Sequence, residues 1–322
     1  MRAVVYDRYG PPEHVLRLEE LDPPSIGEHE VLVRVRAASV NSWDCDNLLG
    51  RPFLTRAGWG LRRPKRRVLG ADVAGDVVAA GRGVTRFRPG DLVFGDLSAS
   101  NWGGFAEFAS APEHALERKP AGLPFEQAAA IPQAGVMALQ AVGQAGGAGR
   151  RALVNGAGGG VGTFAIQLLR ASGTHVTGVD SAEKLDLMRS LGAETVIDYT
   201  RENVADRTER FDLIIDVIAR RSMFDYKRLL APGGRYIMIG GATSRIAQVL
   251  LFGAWEVMTR SSRSMGLLVH RPNHDLERLG ALAAQGALVP VIGRTFELAE
   301  VAEAMRMVID GRALGKVVVT IA

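Results

Sequence analysis

The sequence predicts an α/β protein of two domains, in which a doubly wound parallel sheet follows a strand-rich first domain. Three observations carry that expectation. The chain has 322 residues, more than one ordinary hydrophobic core organises. From residue 151 onward, short apolar runs alternate with helix-period segments, the mark of βαβ units around a buried parallel sheet. A glycine-rich stretch, Asn155-Gly156-Ala157-Gly158-Gly159-Gly160-Val161-Gly162, joins one such run to one such helix.

The elements follow in order. Residues 31–35 (VLVRV) alternate as a half-buried strand, and residues 73–80 (VAGDVVAA) form another that ends at a glycine turn. Arg88-Pro89-Gly90-Asp91 is a turn by residue type, before a strand at 92–94. A further strand is expected at 105–109. Helices are expected at 126–130 and 135–145, the second closed by Gly146-Gly147. Then come strands at 152–155, 175–179, 195–197, 211–217 and 235–239, with helices at 162–172 and 183–191 and one ending at 230. After residue 269 the pattern is helix 275–285, strand 289–296, helix 300–309 and strand 316–321, expected to pack back on the first domain. The domain division is therefore 1–122, 123–269 and a return over 270–322.

Composition narrows the class. Apolar residues make up 47% and charged residues 23%, as in globular proteins. The single cysteine, Cys45, allows no intramolecular disulfide and rules out a four-Cys zinc site. The opening MRAVVYDRYG has no apolar core and reads as a strand entering a turn, not as a signal peptide. No apolar run reaches the roughly 18 residues of a spanning helix, so the cytoplasm is the expected compartment. The net charge of +4 permits a nucleic-acid partner without demanding one.

The glycine-rich stretch has the context that a dinucleotide fingerprint needs, after a strand and at the start of a helix. Glycines let the backbone approach a pyrophosphate, and the helix offers its free N–H groups and positive dipole end. One departure stands out. In register with Gly-x-Gly-x-x-Gly, the first position is Ala157, followed by Gly159 and Gly162. Asp180 ends the next strand, where an acid bonds the adenosine ribose hydroxyls and repels a 2′-phosphate, a tilt toward NADH over NADPH. Lys184 offsets that repulsion in part. The alternative is that Asp180 only caps the helix after it.

The motifs together resemble a known family. They are Gly70-Ala71-Asp72-Val73-Ala74-Gly75, Phe87-Arg88-Pro89-Gly90-Asp91-Leu92-Val93, Gly104-Phe105-Ala106-Glu107-Phe108, the glycine-rich stretch, Leu191-Gly192-Ala193 and Gly315-Lys316-Val317-Val318-Val319. In this order and spacing they are similar to the zinc-free quinone oxidoreductase branch of the medium-chain dehydrogenase/reductase superfamily, over essentially the whole chain. The resemblance implies a GroES-like β-barrel catalytic domain, a Rossmann cofactor domain, an active site in the cleft between them, and a homodimer. It implies that Asn41 stands where zinc relatives carry a catalytic Cys, and Ala71-Asp72 where they carry His-Glu, so that no metal site is expected.

The same resemblance supplies site residues. Asn41-Ser42-Trp43-Asp44 lies by nicotinamide and substrate: Asn41 donates to the substrate carbonyl as charge develops, and Trp43 is an apolar wall. The alternative for Asn41 and Asp44 is helix capping. Cofactor contacts carried over by motif are Gly159, Gly160, Val161 and Asp180, with Lys184 and Tyr199 as looser candidates; Asn155, Ala157, Gly158 and Gly162 complete the loop, and Asp216-Val217-Ile218 and Ile239-Gly240-Gly241 are candidates because they end strands, where such sheets hold ligands. Lys316 either reaches the cleft or forms an exposed salt bridge. No proton donor other than solvent is named.

Three features lie outside that pattern. Arg62-Arg63-Pro64-Lys65-Arg66-Arg67 is a solvated loop, a lining of the substrate entrance, or a contact for nucleic acid or anionic lipid, the last two not expected. Residues 245–260 read first as a buried helix, with a cleft cover, a subunit contact or a membrane surface as alternatives. The sheet edge near 267–269 is a candidate for pairing with a second copy. The expected activity is hydride transfer from NADH or NADPH to a quinone or an activated alkene. The alternatives are an alcohol or aldehyde dehydrogenase-like enzyme, and a nucleotide-bound protein associated with RNA or a membrane surface.

Overall fold

A computed structural model describes residues 1–53, 56–144, 147, 149–258 and 264–322, with side-chain surroundings for all of these but 253–258. The chain forms two compact units, Met1–Val136 with Arg271–Ala322, and Met137–His270.

The first unit begins with an antiparallel ribbon of β1 (Arg2–Val5) and β2 (Arg17–Glu20). Its main sheet starts with β3 (Glu30–Val40), β4 (Asp72–Ala80), β5 (Leu92–Asp96), β6 (Phe108–Pro112) and β7 (Glu117–Arg118), all paired antiparallel. β3 alternates as its sequence predicts: Val31, Val33 and Val35 are buried while Arg34 and Arg36 face solvent. From Ala37 to Val40 every residue is buried, because the helix Phe125–Ala130 packs on β3 and β4 there. The strand expected at 105–109 lies at 108–112. Residues 104–107 are already committed elsewhere, Gly104 and Phe105 to the carbonyls of Gly70 and Leu69, and Glu107 to that of Arg2.

The second unit is a parallel sheet of β8 (Arg151–Asn155), β9 (His175–Asp180), β10 (Thr195–Asp198), β11 (Phe211–Asp216), β12 (Leu230–Met238) and β13 (Ser264–Leu267). Their order is β10-β9-β8-β11-β12-β13, so the chain reverses its direction of travel across the sheet between β8 and β11. That switch point, at the carboxyl ends of the strands, is where such sheets hold ligands. The helix Gly160–Ala171 buries Phe164, Ala165, Ile166 and Leu169, an apolar face at helical spacing. The helix expected over 183–191 is a 3₁₀ turn, Ala182–Lys184, running into the helix Leu185–Ser190.

The chain then returns to the first unit. After the helix Leu276–Ala284 come β14 (Ile292–Glu297), the helix Val301–Ile309 and β15 (Lys316–Thr320). β15 pairs antiparallel with β3 and parallel with β14, giving a seven-stranded sheet. Residues 123–136 pack with this unit and not with the second, as a boundary at 122 would have it, since the helix Phe125–Ala130 lies on β3, β4 and β15.

Two further expectations change. The helix Thr243–Met258 is not buried along its length: Leu250, Leu251 and Phe252 are exposed, Leu251 by 72%. The parts of the 245–260 reading at residues 259–260, and at the side chain of Trp255, lie outside the described residues. So do Ala145 and Gly146, and the described helix there is Pro132–Val142. The basic run divides in use. Arg66 donates to the carbonyl of Ser100 and lies over the Trp59 ring, and Arg67 pairs with Glu19, while Arg62, Arg63 and Lys65 are exposed.

Candidate active site

In the first unit, strand pairing gathers the site from segments far apart in sequence. The register of β3 on β4 sets Ser39 opposite Asp72, and that of β15 on β3 sets Val317 opposite Val40. Lys316 therefore falls beside Asn41. The Lys316 ammonium donates to Oδ1 of Asn41 and lies 3.4 Å from Oδ2 of Asp72. Asn41 Nδ2 donates to that same Oδ2 at 3.0 Å, and Ser39 Oγ donates to it at 2.9 Å. The other carboxylate oxygen of Asp72 takes the Gln133 backbone N–H at 3.1 Å. Asp72 is wholly buried, Lys316 is 3% exposed and Asn41 is 7% exposed.

Asn41 is extended and starts the helix Ser42–Leu49, which Gly50 ends in the left-handed region. Asp44 closes the capping box: its two oxygens accept the backbone N–H groups of Asn41 at 2.7 Å and Gly70 at 3.0 Å. Asp44 is wholly buried, so its expected catalytic role is corrected to one of holding the Asn41 backbone and the Gly70 turn. Burial pushes its carboxyl up to about 7 against the pull of those two N–H groups. Burial likewise raises Asp72 to about 6, with Lys316 opposing and Asp96 assisting the rise. Trp43, next to Asn41, is 42% exposed on the surface of this unit.

In the second unit, the glycine-rich loop leaves β8. Gly156 has φ of +81°, and its missing side chain makes room for Val217 and Ile218. It supplies the left-handed turn just before the fingerprint, whose first position is the buried Ala157. At Gly162 a Cβ would stand 2.2 Å from the Gly156 carbonyl oxygen, so only glycine lets the helix approach the loop. The first bond closing that helix runs from Thr163 N–H to the Gly159 carbonyl. Gly160, Val161 and Gly162 precede it, so their N–H groups lie in the first turn without a helical acceptor, an arrangement that could hold an anion.

Asp180 is 3% exposed and turned toward this loop: Oδ2 accepts from Gly158 N–H at 2.9 Å, and Oδ1 accepts from Ser181 N–H at 2.9 Å. Lys184, buried beside it, pairs with Oδ1 at 3.4 Å and packs over Gly158. Asp180 thus braces the loop rather than capping the next helix, and Lys184 cancels much of its charge. Tyr199, exposed, follows β10, and its backbone N–H bonds the Asp180 carbonyl. Across the switch point, Asn155 Nδ2 donates to Asp216, which also accepts from Ala219 N–H and the Tyr236 hydroxyl. Val217, Ile218, Ile239, Gly240 and Gly241 follow the strands at this carboxyl edge, half-buried or exposed.

The structure thus brings the expected loop and strand-end residues together in the second unit. Lys316 lies in the first unit, where its ammonium bonds Asn41 and pairs with Asp72. An exposed salt bridge is excluded by its burial. Sequence reasoning missed Asp72, Gln133 and Ser39 as parts of the network around Asn41. A signal is present in the sequence: Asp72 and Lys316 each interrupt an otherwise apolar run. Among the described residues, no group of three or more His, Cys, Asp or Glu gathers to hold a metal.

Two family models match this chain, an alcohol dehydrogenase GroES-like domain over residues 27–121 and a zinc-binding dehydrogenase over residues 191–319. A chloroplastic quinone oxidoreductase of Triphysaria versicolor is 35% identical, over 99% of this chain and 98% of its own. The chain belongs to the medium-chain dehydrogenase/reductase superfamily, in its quinone oxidoreductase-like branch. The 2-methylene-furan-3-one reductase of Solanum lycopersicum is 32% identical over 99% of this chain and 79% of its own. The quinone oxidoreductase of Coxiella burnetii superposes with a TM-score of 0.90 at 30% identity, covering 100% of this chain and 99% of that one. These matches carry the GroES-like and Rossmann assignments of the two units. The plant quinone oxidoreductase is chloroplastic, and a mitochondrial NAD(P)H oxidoreductase of Mus musculus is 32% identical over 100% of this chain and 89% of its own. Among the described residues, no helix is long and apolar enough to cross a membrane.

Proposed function

We propose that this protein is a zinc-independent NAD(P)H oxidoreductase that reduces quinones or the carbon–carbon double bond of enones. The observation that carries the reading is the Asn41 carboxamide, held between a buried ammonium and a buried carboxylate. Lys316 occupies its oxygen, so the group left for a ligand is the second N–H of Nδ2. Such a donor suits an oxygen that gains negative charge. Lys316 adds a fixed positive charge behind it, in a place where no metal-ligand set is assembled.

The loop of the second unit fits a dinucleotide: free N–H groups at the helix start, glycines where a Cβ has no room, and the adjoining acid Asp180 paired with Lys184. When bound, the reduced nicotinamide supplies a hydride, two electrons and a proton. Gly159, Gly160, Val161 and Gly162 hold the pyrophosphate. Asn41 orients the acceptor oxygen and stabilises its charge, and Trp43 is the apolar wall beside it. Solvent gives the second proton, so that a quinone leaves as hydroquinone, or an enone as the saturated ketone. Asp180 is buried with both carboxylate oxygens held by backbone N–H groups, and its pairing with Lys184 weakens rejection of a 2′-phosphate, so that both NADH and NADPH are used. Two weaker propositions accompany this reading. β13 ends the sheet with Leu250, Leu251 and Phe252 exposed on the neighbouring helix, the surface we assign to a homodimer. The buried lone thiol of Cys45 fits a reducing cytoplasm.

The test is cofactor oxidation followed at 340 nm, with NADH and NADPH in turn, against 1,4-benzoquinone, 3-buten-2-one and a simple aldehyde. Turnover of quinone or enone that survives a chelator supports the reading. Turnover of the aldehyde alone, or activity abolished by the chelator, overturns it.

A further inference from the structure

We propose that Lys316 is a positioning residue, whose buried ammonium fixes which way the Asn41 carboxamide faces and so makes the site present a hydrogen-bond donor. The inference rests on the reading of Asn41 given above. An asparagine amide has two nearly equal-sized ends, an acceptor oxygen and a donor nitrogen, and in isolation either end points either way. Here the two ends meet opposite charges. Lys316 stands against Oδ1, and Asp72 accepts from Nδ2 at 3.0 Å. Turning the amide over would set NH₂ against an ammonium and C=O against a carboxylate, in a place almost without solvent.

Several elements converge to build this lock. β15 brings Lys316 and β4 brings Asp72 to either side of the end of β3, and Gly315 turns the chain into β15 with φ of +63°. At that glycine a Cβ would lie 2.4 Å from the Val291 carbonyl oxygen, and the Lys316 backbone N–H bonds that same oxygen. Asp44 holds the Asn41 backbone from the helix side. Gln133 Nε2 is buried at the start of the helix Pro132–Val142 with no hydrogen-bond partner, while the Gln133 backbone is tied to Asp72. A second donor thus stands on the residue that Asp72 anchors. Donors without acceptors suit a ligand oxygen and disfavour a ligand that must itself donate.

A purely structural lysine would only neutralise Asp72, and the two roles separate in a double-mutant cycle. The variants are Asn41→Ala, Lys316→Met and the two combined, with Lys316→Gln held in reserve should methionine prevent folding. For each, kcat/KM for 1,4-benzoquinone and for 3-buten-2-one, the NADPH Kd and the melting temperature are measured. Asn41→Ala is expected to lower kcat/KM about 100-fold, and Lys316→Met about 30-fold. The combined variant is expected to be no worse than Asn41→Ala alone, with the Kd for NADPH unchanged. In ¹⁵N spectra of the cofactor-free protein, the Asn41 side-chain amide moves to the position of a solvated asparagine in Lys316→Met. Losses that multiply in the combined variant, or an unmoved amide signal, overturn the inference. If Asn41→Ala lowers activity and Lys316→Met does not, only the role of Lys316 fails. If Asn41→Ala is itself silent, the reading of Asn41 fails and takes the inference with it.

Discussion

The two units build their sites in opposite ways. The second offers a contiguous stretch of chain, residues 155–162, whose backbone N–H groups are the proposed binding groups and whose glycines admit a close approach. The first uses single side chains from β3, β4 and β15, with Asn41 and Lys316 275 positions apart, joined only by strand pairing. A backbone site depends on what side chains are missing, and it tolerates little added volume. A charge-balanced site depends on every partner being present, because each member compensates the burial of another. The two should therefore fail differently, and the difference is measurable.

The largest effect is expected on stability in the first unit. Asp72→Ala leaves the Lys316 ammonium buried without its carboxylate, at a cost of about 3 to 5 kcal/mol in denaturant unfolding. NADPH affinity should be unchanged, because none of the residues lost belongs to the loop. An unaltered unfolding midpoint would show that the network is not under charge strain. Next comes Gly162→Ala in the second unit. Its Cβ would meet the Gly156 carbonyl oxygen at 2.2 Å, and the overpacking corresponds to about 10- to 100-fold weaker NADPH binding. Titration of cofactor fluorescence reads this directly, and full affinity in the variant would break the account of the loop.

Smaller effects sharpen the comparison. Asp180→Ser removes the acid but also frees Lys184, and the ratio of kcat/KM for NADPH over NADH should rise about tenfold, equal to roughly 1.4 kcal/mol. A ratio that stays put would mean that Asp180 serves only to brace Gly158. The smallest effect concerns pH. Burial raises Asp44 to about 7 and Asp72 to about 6, so the folded protein holds these protons more tightly than the unfolded chain does. Their contribution to stability is therefore greatest at low pH and is lost as pH rises toward 7. Asp72 faces Lys316 from β15, Ser39 from β3, Asn41 just after it, Asp96 from β5 and the Gln133 N–H, and Asp44 lies near it on the following helix. Unfolding midpoints at pH 5 and pH 7 should show a smaller loss in Asp72→Asn than in the parent protein. Equal losses would remove Asp72 from the explanation.

The same contrast explains how much was legible in the sequence. The α/β class, the strand–loop–helix around Gly156 to Gly162 and the return of the last segment follow from local periodicity and glycine placement. Ala157 looked like a defect in the fingerprint, yet Gly156 makes the turn that the motif needs. The buried network was not legible, because no local pattern says that residue 316 lies beside residue 41. Asp72 stands out only as a mismatch to a metal-binding pattern, and Lys316 is expected from its motif either to reach the cleft or to form an exposed salt bridge. Its true partners are set by the pairing of β15 on β3. For the helix Thr243–Met258, an apolar composition suggested burial, whereas Leu250, Leu251 and Phe252 face outward on the unit that carries the open sheet edge.

The central claim is that Asn41 of the first unit serves the acceptor while the loop of the second serves the cofactor. Single-turnover transfer of deuterium from 4-deuterated NADPH to the β-carbon of 3-buten-2-one tests it most directly, in the parent protein and in Asn41→Ala with NADPH saturating. The account predicts that the variant binds NADPH as the parent does and transfers deuterium about 100-fold more slowly. Transfer at the parent rate would contradict it.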